Sequence, residues 1–319
     1  MPKISDWDDR IGRRLRLRDL RVLFEVMQSG TLAKAALQLR VSQPAVSQVI
    51  ADLEHALGVK LFDRSSRGVE PTLYARALLA RGRAAFDELR QGIRDIEFLA
   101  NPTAGELTIA YPESLSLTVL PQIIERFSEK HPRVVIRGDI VAAPSYRFPG
   151  LRDRTHDLIL SPSPPDDYPV DDLNVEVLFD DPWVVVAGMN SQWAQRRKVE
   201  LRELMDEPWL LTPPDTDSRK NLEQAFKVRG LRAPTAGMVT YSVHLRAKLA
   251  SRGRFITVVP KSLLRPDNEE YRLKMLPVDV PPRSFLVTIM TLKNRTLSPV
   301  VARFIECARE VSKAFARRK

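Results

Sequence analysis

The sequence of 319 residues contains one cysteine, Cys307. A single thiol excludes an internal disulfide and any metal site built from several cysteines. No apolar run approaches the ~20 residues that a membrane-spanning helix needs, and runs such as Pro182–Met189 have the length of a buried strand. Asp6, Asp8 and Asp9 stand where a signal peptide would carry basic and apolar residues. We therefore expect a cytoplasmic protein without a membrane partner.

Signatures of catalysis are also missing from the sequence. The four histidines are far apart along the chain, and we find no nucleophile elbow, zinc-protease motif, P-loop or dinucleotide-binding motif. The sequence therefore predicts neither an enzyme nor a bound metal ion or cofactor.

The charge balance favours a polyanionic partner. The chain has 50 lysines and arginines against 40 aspartates and glutamates, a net charge of +10, and basic proteins commonly bind nucleic acid. Because the positive excess is spread over both halves of the chain, it does not locate the binding surface.

Composition divides the chain near residue 100, which fits the two domains expected at roughly 150 residues each. Residues 15–99 contain only two prolines and are rich in Ala, Leu, Arg and Gln, a composition typical of helices. Beyond them, prolines are frequent and β-branched runs alternate with amphipathic stretches, which predicts an α/β domain with a largely parallel sheet. These runs are Leu107–Ala110, Val134–Ile140, Trp183–Ala187, Phe255–Val259 and Phe285–Leu292. The proline-rich stretch 161–172 is a candidate crossover between two lobes.

Short helices joined by a tight turn are predicted in the first part. An apolar stripe that ends at Ser29-Gly30 forms the first helix, Thr31 caps the second, and Ser42 caps a third that ends at Gly58. Pro44 is tolerated in the first turn of the third helix. Two short helices with so brief a connection are typical of a helix-turn-helix.

The start of the third helix carries side chains suited to DNA. Gln43, Ser47 and Gln48 lie off its apolar stripe; glutamine can bond bidentately to adenine, and serine can reach base edges or phosphates. Residues 61–68 predict a short ribbon with Arg64 and Arg67, which could place an arginine in a minor groove. On spacing alone, a small helical bundle with an ordinary polar surface remains the alternative.

The identity and spacing of a series of residues in this segment match the sequence pattern of a known protein family. The series is Ala35, Ala36, Leu39, Ser42, Gln43, Pro44, Ala45, Val46, Ser47, Ile50, Leu53, Glu54, Leu57, Gly58, Leu61, Phe62, Arg64, Pro71 and Thr72. It closely resembles the winged helix-turn-helix of LysR-type transcriptional regulators, and a looser resemblance covers nearly the whole chain. The chain departs from the family after Thr72, where Leu73-Tyr74 replaces a small residue and a glycine.

The resemblance implies an α/β fold overall with three parts. These are a winged helix-turn-helix DNA-binding domain at 15–72, a linker and dimerisation helix at 73–99, and a periplasmic-binding-protein-like effector domain at 103–312. Within the last, lobe I takes in about 103–178 and 282–312, and lobe II about 180–280. The implied function is sequence-specific DNA binding that a small-molecule effector modulates, in a homodimer or homotetramer that acts on RNA polymerase.

The resemblance also guides the choice of site residues. The candidates for DNA binding are Thr31, Ser42, Gln43, Pro44, Ser47, Gln48, Arg64 and Arg67. Strand ends that feed helix N-termini form polar crevices, and the candidates for effector binding there are Glu113, Ser114, Ser145, Thr212, Arg219 and Ser242. A carboxylate at Glu113 favours a polyol as ligand, unless a cation such as Arg219 neutralises it.

A narrower likeness connects the chain with the GbpR-like branch, whose members respond to sugars. It rests on Gly68–Tyr74 and Phe86–Ile93. The expected effector is accordingly a sugar or a small organic acid. Two other functions remain open: an architectural protein that binds DNA without sequence preference, and a small-molecule binding protein without a regulatory role.

The linker segment has a regular apolar stripe. Residues 72–99 would form a helix about 42 Å long, with the stripe Ala75, Leu79, Gly82, Phe86, Leu89, Ile93 and Ile96 at alternating spacings of four and three. Such a stripe predicts a seam for another helix, and packing against the chain's own domain is the alternative. The family resemblance favours two antiparallel linker helices in a dimer.

Replacing Arg67 by alanine tests the predicted groove contact. Loss of one phosphate-neutralising cation should lower the affinity for DNA and flatten the slope of log affinity against log salt by about one unit. Fluorescence anisotropy at several salt concentrations measures the slope. An unchanged slope would count against the contact.

Overall fold

The computed structural model describes residues 15–65, 68–101, 104–141, 148–164, 168–280 and 284–316. Arg67, Ser145 and the segment before Leu15 lie outside these ranges, and the side chain of Arg64 is not described. The chain forms two compact units that meet in sequence at Arg90–Gln91. None of the helices in the described ranges has the length and apolar character that crossing a bilayer requires.

The first unit is a helical cluster with a ribbon. Its helices are α1 (Leu17–Ser29), α2 (Leu32–Leu39) and α3 (Gln43–Leu57), followed by the antiparallel strands β1 (Phe62–Ser65) and β2 (Gly68–Pro71) and the start of α4 (Leu73–Ala100). The stripes of the three helices meet in one core, which includes Leu23, Val26, Ala35, Val46, Ile50 and Leu53.

The predicted helix boundaries are confirmed by their hydrogen bonds. Thr31 Oγ1 accepts from the Lys34 amide at 3.2 Å, and Ser42 Oγ accepts from the Ala45 amide at 3.3 Å. Gly30 and Gly58 end α1 and α3 with φ of 70° and 68°, a left-handed conformation that glycine adopts without strain. These caps fix where α3 begins.

A buried carboxylate joins α3 to the ribbon. Glu54 Oε1 accepts from the amides of Leu61 (2.8 Å) and Phe62 (3.3 Å), and Oε2 accepts from Lys60 Nζ at 2.8 Å. Burial raises the pKa of Glu54, but the hydrogen bonds from Lys60, Leu61 and Phe62 outweigh burial and leave the pKa below its ordinary value. The charged form therefore stabilises the fold near neutral pH.

The apolar stripe of α4 serves two surfaces. Ala75 and Leu79 are buried in the first unit, a Cβ at Gly82 would lie 2.9 Å from Phe24 Cζ, and the rings of Phe86 and Phe24 meet edge to face. Packing against the chain's own domain is thus correct for the first four positions. The next positions are exposed, with Leu89 at 50%, Ile93 at 58% and Ile96 at 68%.

The second unit contains two sheets with helices packed on them. In lobe I the described strands run in the order β4-β3-β5-β12-β6. They are β3 (Ala104–Tyr111), β4 (Arg133–Ile140), β5 (Leu158–Pro162), β6 (Leu173–Asp180) and β12 (Leu286–Leu292). The helices of this lobe are α5 (Glu113–Ser116), α6 (Val119–Lys130), α7 (Pro149–Arg152) and α10 (Pro299–Ala316).

Lobe II is built in the same way around strands in the order β11-β7-β10-β8-β9. Its strands are β7 (Trp183–Gly188), β8 (Trp209–Leu211), β9 (Ala236–Val239), β10 (Ile256–Pro260) and β11 (Leu273–Met275). Its helices are α8 (Asp217–Val228) and α9 (Val243–Ala250), with 3₁₀ turns at Gln192–Gln195, Leu201–Leu204, Lys261–Leu264 and Pro266–Tyr271.

Two expectations about this unit were wrong. Both sheets are mixed, since β12 is antiparallel to β5 and β6, and β7 is antiparallel to β10 and β11. These strands follow crossings between lobes, where no packed helix returns the chain to the same edge and imposes a parallel direction. The stretch 161–172 connects β5 to β6 within lobe I. The chain crosses instead at Asp181-Pro182 and again between Met275 and Leu286.

A buried ion cluster fastens the end of α4 to lobe I. Asp157 Oδ1 accepts from Arg94 Nη1 at 3.1 Å and from Arg295 Nη2 at 2.9 Å, while Oδ2 accepts from the Thr108 amide at 2.8 Å. Asp157 and Arg295 are almost fully buried. The C-terminal part of α4 is therefore held through Asp157, whose carboxylate is itself fixed by Arg295 and by the Thr108 amide of β3.

Replacing Glu54 by alanine tests the carboxylate between α3 and the ribbon. Two buried amides lose their acceptor, so the local free energy of unfolding should fall by about 2–4 kcal/mol. Hydrogen exchange of the Leu61 and Phe62 amides in the intact protein measures the change. Glu54→Gln keeps a neutral acceptor and should protect these amides better than Glu54→Ala.

The same bonds predict a pH dependence. Because the folded-state pKa of Glu54 lies below the ordinary 4.5, its stabilisation should be lost as pH falls below about 4.5. Amide protection that is equal in wild type and Glu54→Ala at pH 7 would contradict this role for the carboxylate.

Candidate functional site

The N-terminal half of α3 presents polar side chains opposite its buried stripe. Gln43, Pro44 and Gln48 are exposed and Ser47 is half-buried, whereas Val46 and Ile50 lie in the core. Gln48 Nε2 donates to Asp52 Oδ1 at 2.8 Å, one turn along the helix. This bond leaves the carbonyl oxygen and the second amide hydrogen of Gln48 for another partner.

The capping hydroxyls lie beside this surface. Thr31 and Ser42 each accept a bond from the first turn of a helix, so each hydroxyl hydrogen is still available to an acceptor such as a phosphate oxygen. The free amides of a helix N-terminus also favour a phosphate. The geometry therefore places donors at the starts of both α2 and α3.

The ribbon is anchored to the turn between α1 and α2. The Val69 amide donates to Gly30 O at 3.1 Å. Gly68 has φ of 132°, and a Cβ there would lie 2.6 Å from Gly30 O, so the close approach requires glycine. Arg64 belongs to β1 of this ribbon, and Arg67 follows in the part that is not described.

A cavity of about 360 Å³ lies between the two lobes of the second unit. Lobe I contributes the residues that follow β3 and β4, and lobe II contributes those that follow β8 and β9. Ligands of α/β proteins commonly bind at such strand ends. Apolar side chains, among them Ile140, Val141, Trp183 and Phe285, form much of the wall.

The structure brings most of the described effector candidates together. Glu113, Ser114, Thr212 and Ser242 line the cavity. Arg219 is not among the described lining residues, because its guanidinium reaches one turn along α8 and donates from Nε to Glu223.

Several polar groups of the wall already have partners. Glu113 accepts from Ser242 Oγ at 2.9 Å through Oε1 and from the Val243 amide through Oε2, so it connects the two lobes. Thr216 Oγ1 donates to Thr212 Oγ1 at 2.7 Å. The cation whose charge acts on Glu113 is not Arg219, the example that the sequence offered, but another arginine.

That residue is Arg246, a fully buried arginine in the cavity wall. Its Nη1 donates to Val258 O (2.6 Å) and to Thr257 Oγ1 (3.1 Å), and its Cζ lies 5.9 Å from the centre of the Trp183 ring. Burial lowers the pKa of Arg246 to about 10, and the charge of Glu113 opposes this effect. The side chain is therefore charged at neutral pH.

Arg246 was not among the predicted site residues, although the sequence holds a signal for it. Val243, Ala247 and Ala250 are buried at helical spacing on α9, and Arg246 belongs to the same face. A charged residue within an apolar stripe is rarely buried unless a partner satisfies it.

In the described part of the chain, no cluster of His, Cys, Asp and Glu side chains is arranged to hold a metal ion.

Comparison with protein families gives matches over both units. Residues 17–76 match the bacterial regulatory helix-turn-helix protein, lysR family, and residues 100–313 match the LysR substrate binding domain. The chain belongs to the LysR family. It is a transcriptional regulator with a DNA-binding helix-turn-helix and an effector-binding domain, and it is not an enzyme.

Individual LysR proteins resemble the chain over almost its full length. The transcriptional dual regulator GltC of Bacillus subtilis strain 168 is 28% identical over 294 residues, 92% of this chain and 96% of GltC. Full-length CbnR in complex with its target DNA has a TM-score of 0.61 and 21% identity, with 93% of this chain and all of CbnR covered. The effector domain of QuiR with shikimate has a TM-score of 0.54 and 19% identity, covering 67% of this chain and 99% of that domain.

These findings confirm the family, the fold class and the regulatory function inferred from the sequence. They favour regulation over the architectural and the purely ligand-binding alternatives. LysR regulators bind DNA and small-molecule effectors and form oligomers. The individual DNA-binding and effector-binding residues stay predictions.

Proposed function

We propose that this LysR regulator reads its DNA site with the first turns of α3 and responds to a small molecule in the cavity between the lobes. One observation carries the proposal: Gln43, Ser47 and Gln48 share the exposed side at the start of a helix whose other side is buried. A helix of this kind can enter a major groove and present these side chains to base edges.

Each candidate has a physical role in this arrangement. The amides of Gln43 and Gln48 read bases, and Ser47 meets a base edge or a nearby phosphate. The hydroxyls of Thr31 and Ser42, with the helix N-termini that they cap, bind phosphates and fix the register of α3. Pro44 packs at the groove edge, and Arg64 and Arg67 bind in the minor groove.

The exposed part of α4 supports self-association. Leu89, Ile93 and Ile96 are large apolar residues that face solvent on one side of this helix. A second copy of the chain can cover them, which gives a homodimer or, through further contacts, a homotetramer. A twofold dimer reads two half-sites one helical turn apart or a multiple of it.

The cavity supplies the switch in this proposal. An effector that binds both lobes favours the arrangement in which they close on it and shifts the population of DNA-bound forms. The change in DNA binding then alters access of RNA polymerase to the promoter. The effector is a sugar or a small organic acid, and the solved QuiR domain holds shikimate, which is such an acid.

Replacing Gln43 by alanine tests base reading. Affinity for the duplex just upstream of the protein's own gene should fall by about 10- to 100-fold, the value of one bidentate base contact. Binding to an unrelated duplex should change little. Anisotropy titration at one salt concentration measures both, and Gln28→Ala, an exposed glutamine on α1, is the matched control.

The two DNAs separate specific from architectural binding. An equal loss of affinity on both would contradict base reading by Gln43. Wild-type binding that disappears under excess unrelated duplex would favour the architectural alternative for this DNA.

Replacing Ile93 by glutamate tests the α4 surface. A charge at a buried interface should raise the dissociation constant of the oligomer at least about tenfold. Mass photometry over a range of protein concentrations measures the distribution of species. Ala77→Glu, at an exposed position of the same helix, should leave that distribution unchanged, and an unchanged distribution in both variants would contradict the proposal.

A further inference from the structure

We propose that the effector carries a carboxylate and that Arg246 and Trp183 bind it. This inference rests on the proposed role of the cavity as the effector site. It chooses a small organic acid over a sugar, on the basis of hydrogen-bond donors in the cavity wall.

The first observation is the incomplete set of partners of Arg246. Its Nη1 has two acceptors, but Nε and Nη2 are buried without a hydrogen-bond partner among the described residues. A buried charged group with unsatisfied donors is strongly unfavourable, unless a partner of opposite charge binds it. The planar edge of a guanidinium suits a carboxylate, which can accept two parallel bonds.

Trp183 supplies a second donor of the same kind. Its Nε1 is also buried without a hydrogen-bond partner among the described residues, and Trp183 stands in the cavity wall beside Arg246. Among the described lining residues, no buried side-chain acceptor lacks a partner. The unpartnered side-chain atoms of the wall are thus all donors, and a ligand group that accepts hydrogen bonds fits them.

The two carboxylates of the wall do not remove this requirement. Glu113 is bonded to Ser242 and Val243 through its two oxygens. Asp217 has interactions of its own and lies in the first turn of α8, where the helix dipole stabilises negative charge. Neither is hydrogen-bonded to Arg246 in the structure.

Much of the rest of the cavity wall is apolar and indicates an apolar skeleton for the ligand. Ile140, Val141, Pro162 and Phe285 offer apolar surface. A sugar would set hydroxyl groups against these apolar side chains, and a hydroxyl pairs with the open donors of Arg246 less strongly than a carboxylate does. A carboxylate on an apolar skeleton satisfies both parts of the cavity.

Binding at this point would also act on the crossings between the lobes. Trp183 begins β7 directly after the first crossing, and its ring meets Phe285, which precedes β12 after the second, edge to face at 5.4 Å. A carboxylate bound to Trp183 Nε1 therefore contacts a residue pair that connects both crossings.

Thermal unfolding and calorimetric titration of the full chain test the proposal with matched pairs of ligands. The acids are cyclohexanecarboxylate and 3-phenylpropionate at millimolar concentration; the controls are their uncharged carboxamides and glucose. At least one acid should raise the Tm in a concentration-dependent way, and its carboxamide and glucose should do so much more weakly.

Variants then assign the binding to Arg246. Arg246→Met should reduce the affinity for the acid by about 10- to 100-fold, the effect of losing a charged hydrogen bond. Arg246→Lys keeps the charge without the planar pair of donors and should fall between the two, which also guards against misfolding of the methionine variant. Arg252→Met removes an exposed cation just beyond the same helix and should bind the acid as wild type does.

Three results would overturn the proposal. These are a Tm that no acid raises, acids and carboxamides that bind equally well, and an acid that binds Arg246→Met as tightly as wild type. Fluorescence anisotropy of the wild-type protein on the upstream duplex, measured without ligand, separates failure of the carboxylate proposal from failure of the proposed function. Wild-type DNA binding that keeps its sequence preference while no acid binds would overturn only the carboxylate proposal. Wild-type binding without sequence preference would overturn the proposed function.

Discussion

The carboxylate of Glu113 is the contact on which the arrangement of the two lobes depends. It begins α5 in lobe I and accepts from Ser242 Oγ and the Val243 amide at the start of α9 in lobe II. An anion is stabilised there by the free amides and the dipole of the helix. Because this bond crosses the cavity, it sets the distance between the walls that an effector would meet.

The same helix carries the buried arginine. Arg246 lies one turn beyond Ser242 on α9, so a ligand that binds Arg246 acts on the element that Glu113 holds. Lobe I in turn holds the end of α4, since Asp157 bonds Arg94. Strand β3 connects the two sites, because its Thr108 amide donates to Asp157 and Glu113 follows its C-terminal end.

Local chemistry made part of this structure predictable from the sequence. Thr31 and Ser42 were predictable as helix caps because each hydroxyl bonds an amide only three residues further along the chain. Family resemblance added the two-lobed domain, and strand ends indicated Glu113, Ser114, Thr212 and Ser242, which share one cavity. Contacts between residues far apart in the sequence could not be predicted. Asp157 bonds Arg94 of α4, and Arg246 lies beside Trp183 only because the chain folds that way. The crossing point and the antiparallel strands depend on the path between two sheets, which composition does not encode.

Linkage between ligand and DNA is the most direct test of the account. The dissociation constant of the full chain for the duplex upstream of its gene would be measured without ligand and with a saturating concentration of the tightest-binding carboxylate, at one salt concentration. The account predicts a change of about 5-fold or more, in either direction, with the same factor in the affinity for the carboxylate when DNA is bound. Equal DNA affinity with the cavity empty and saturated would contradict it.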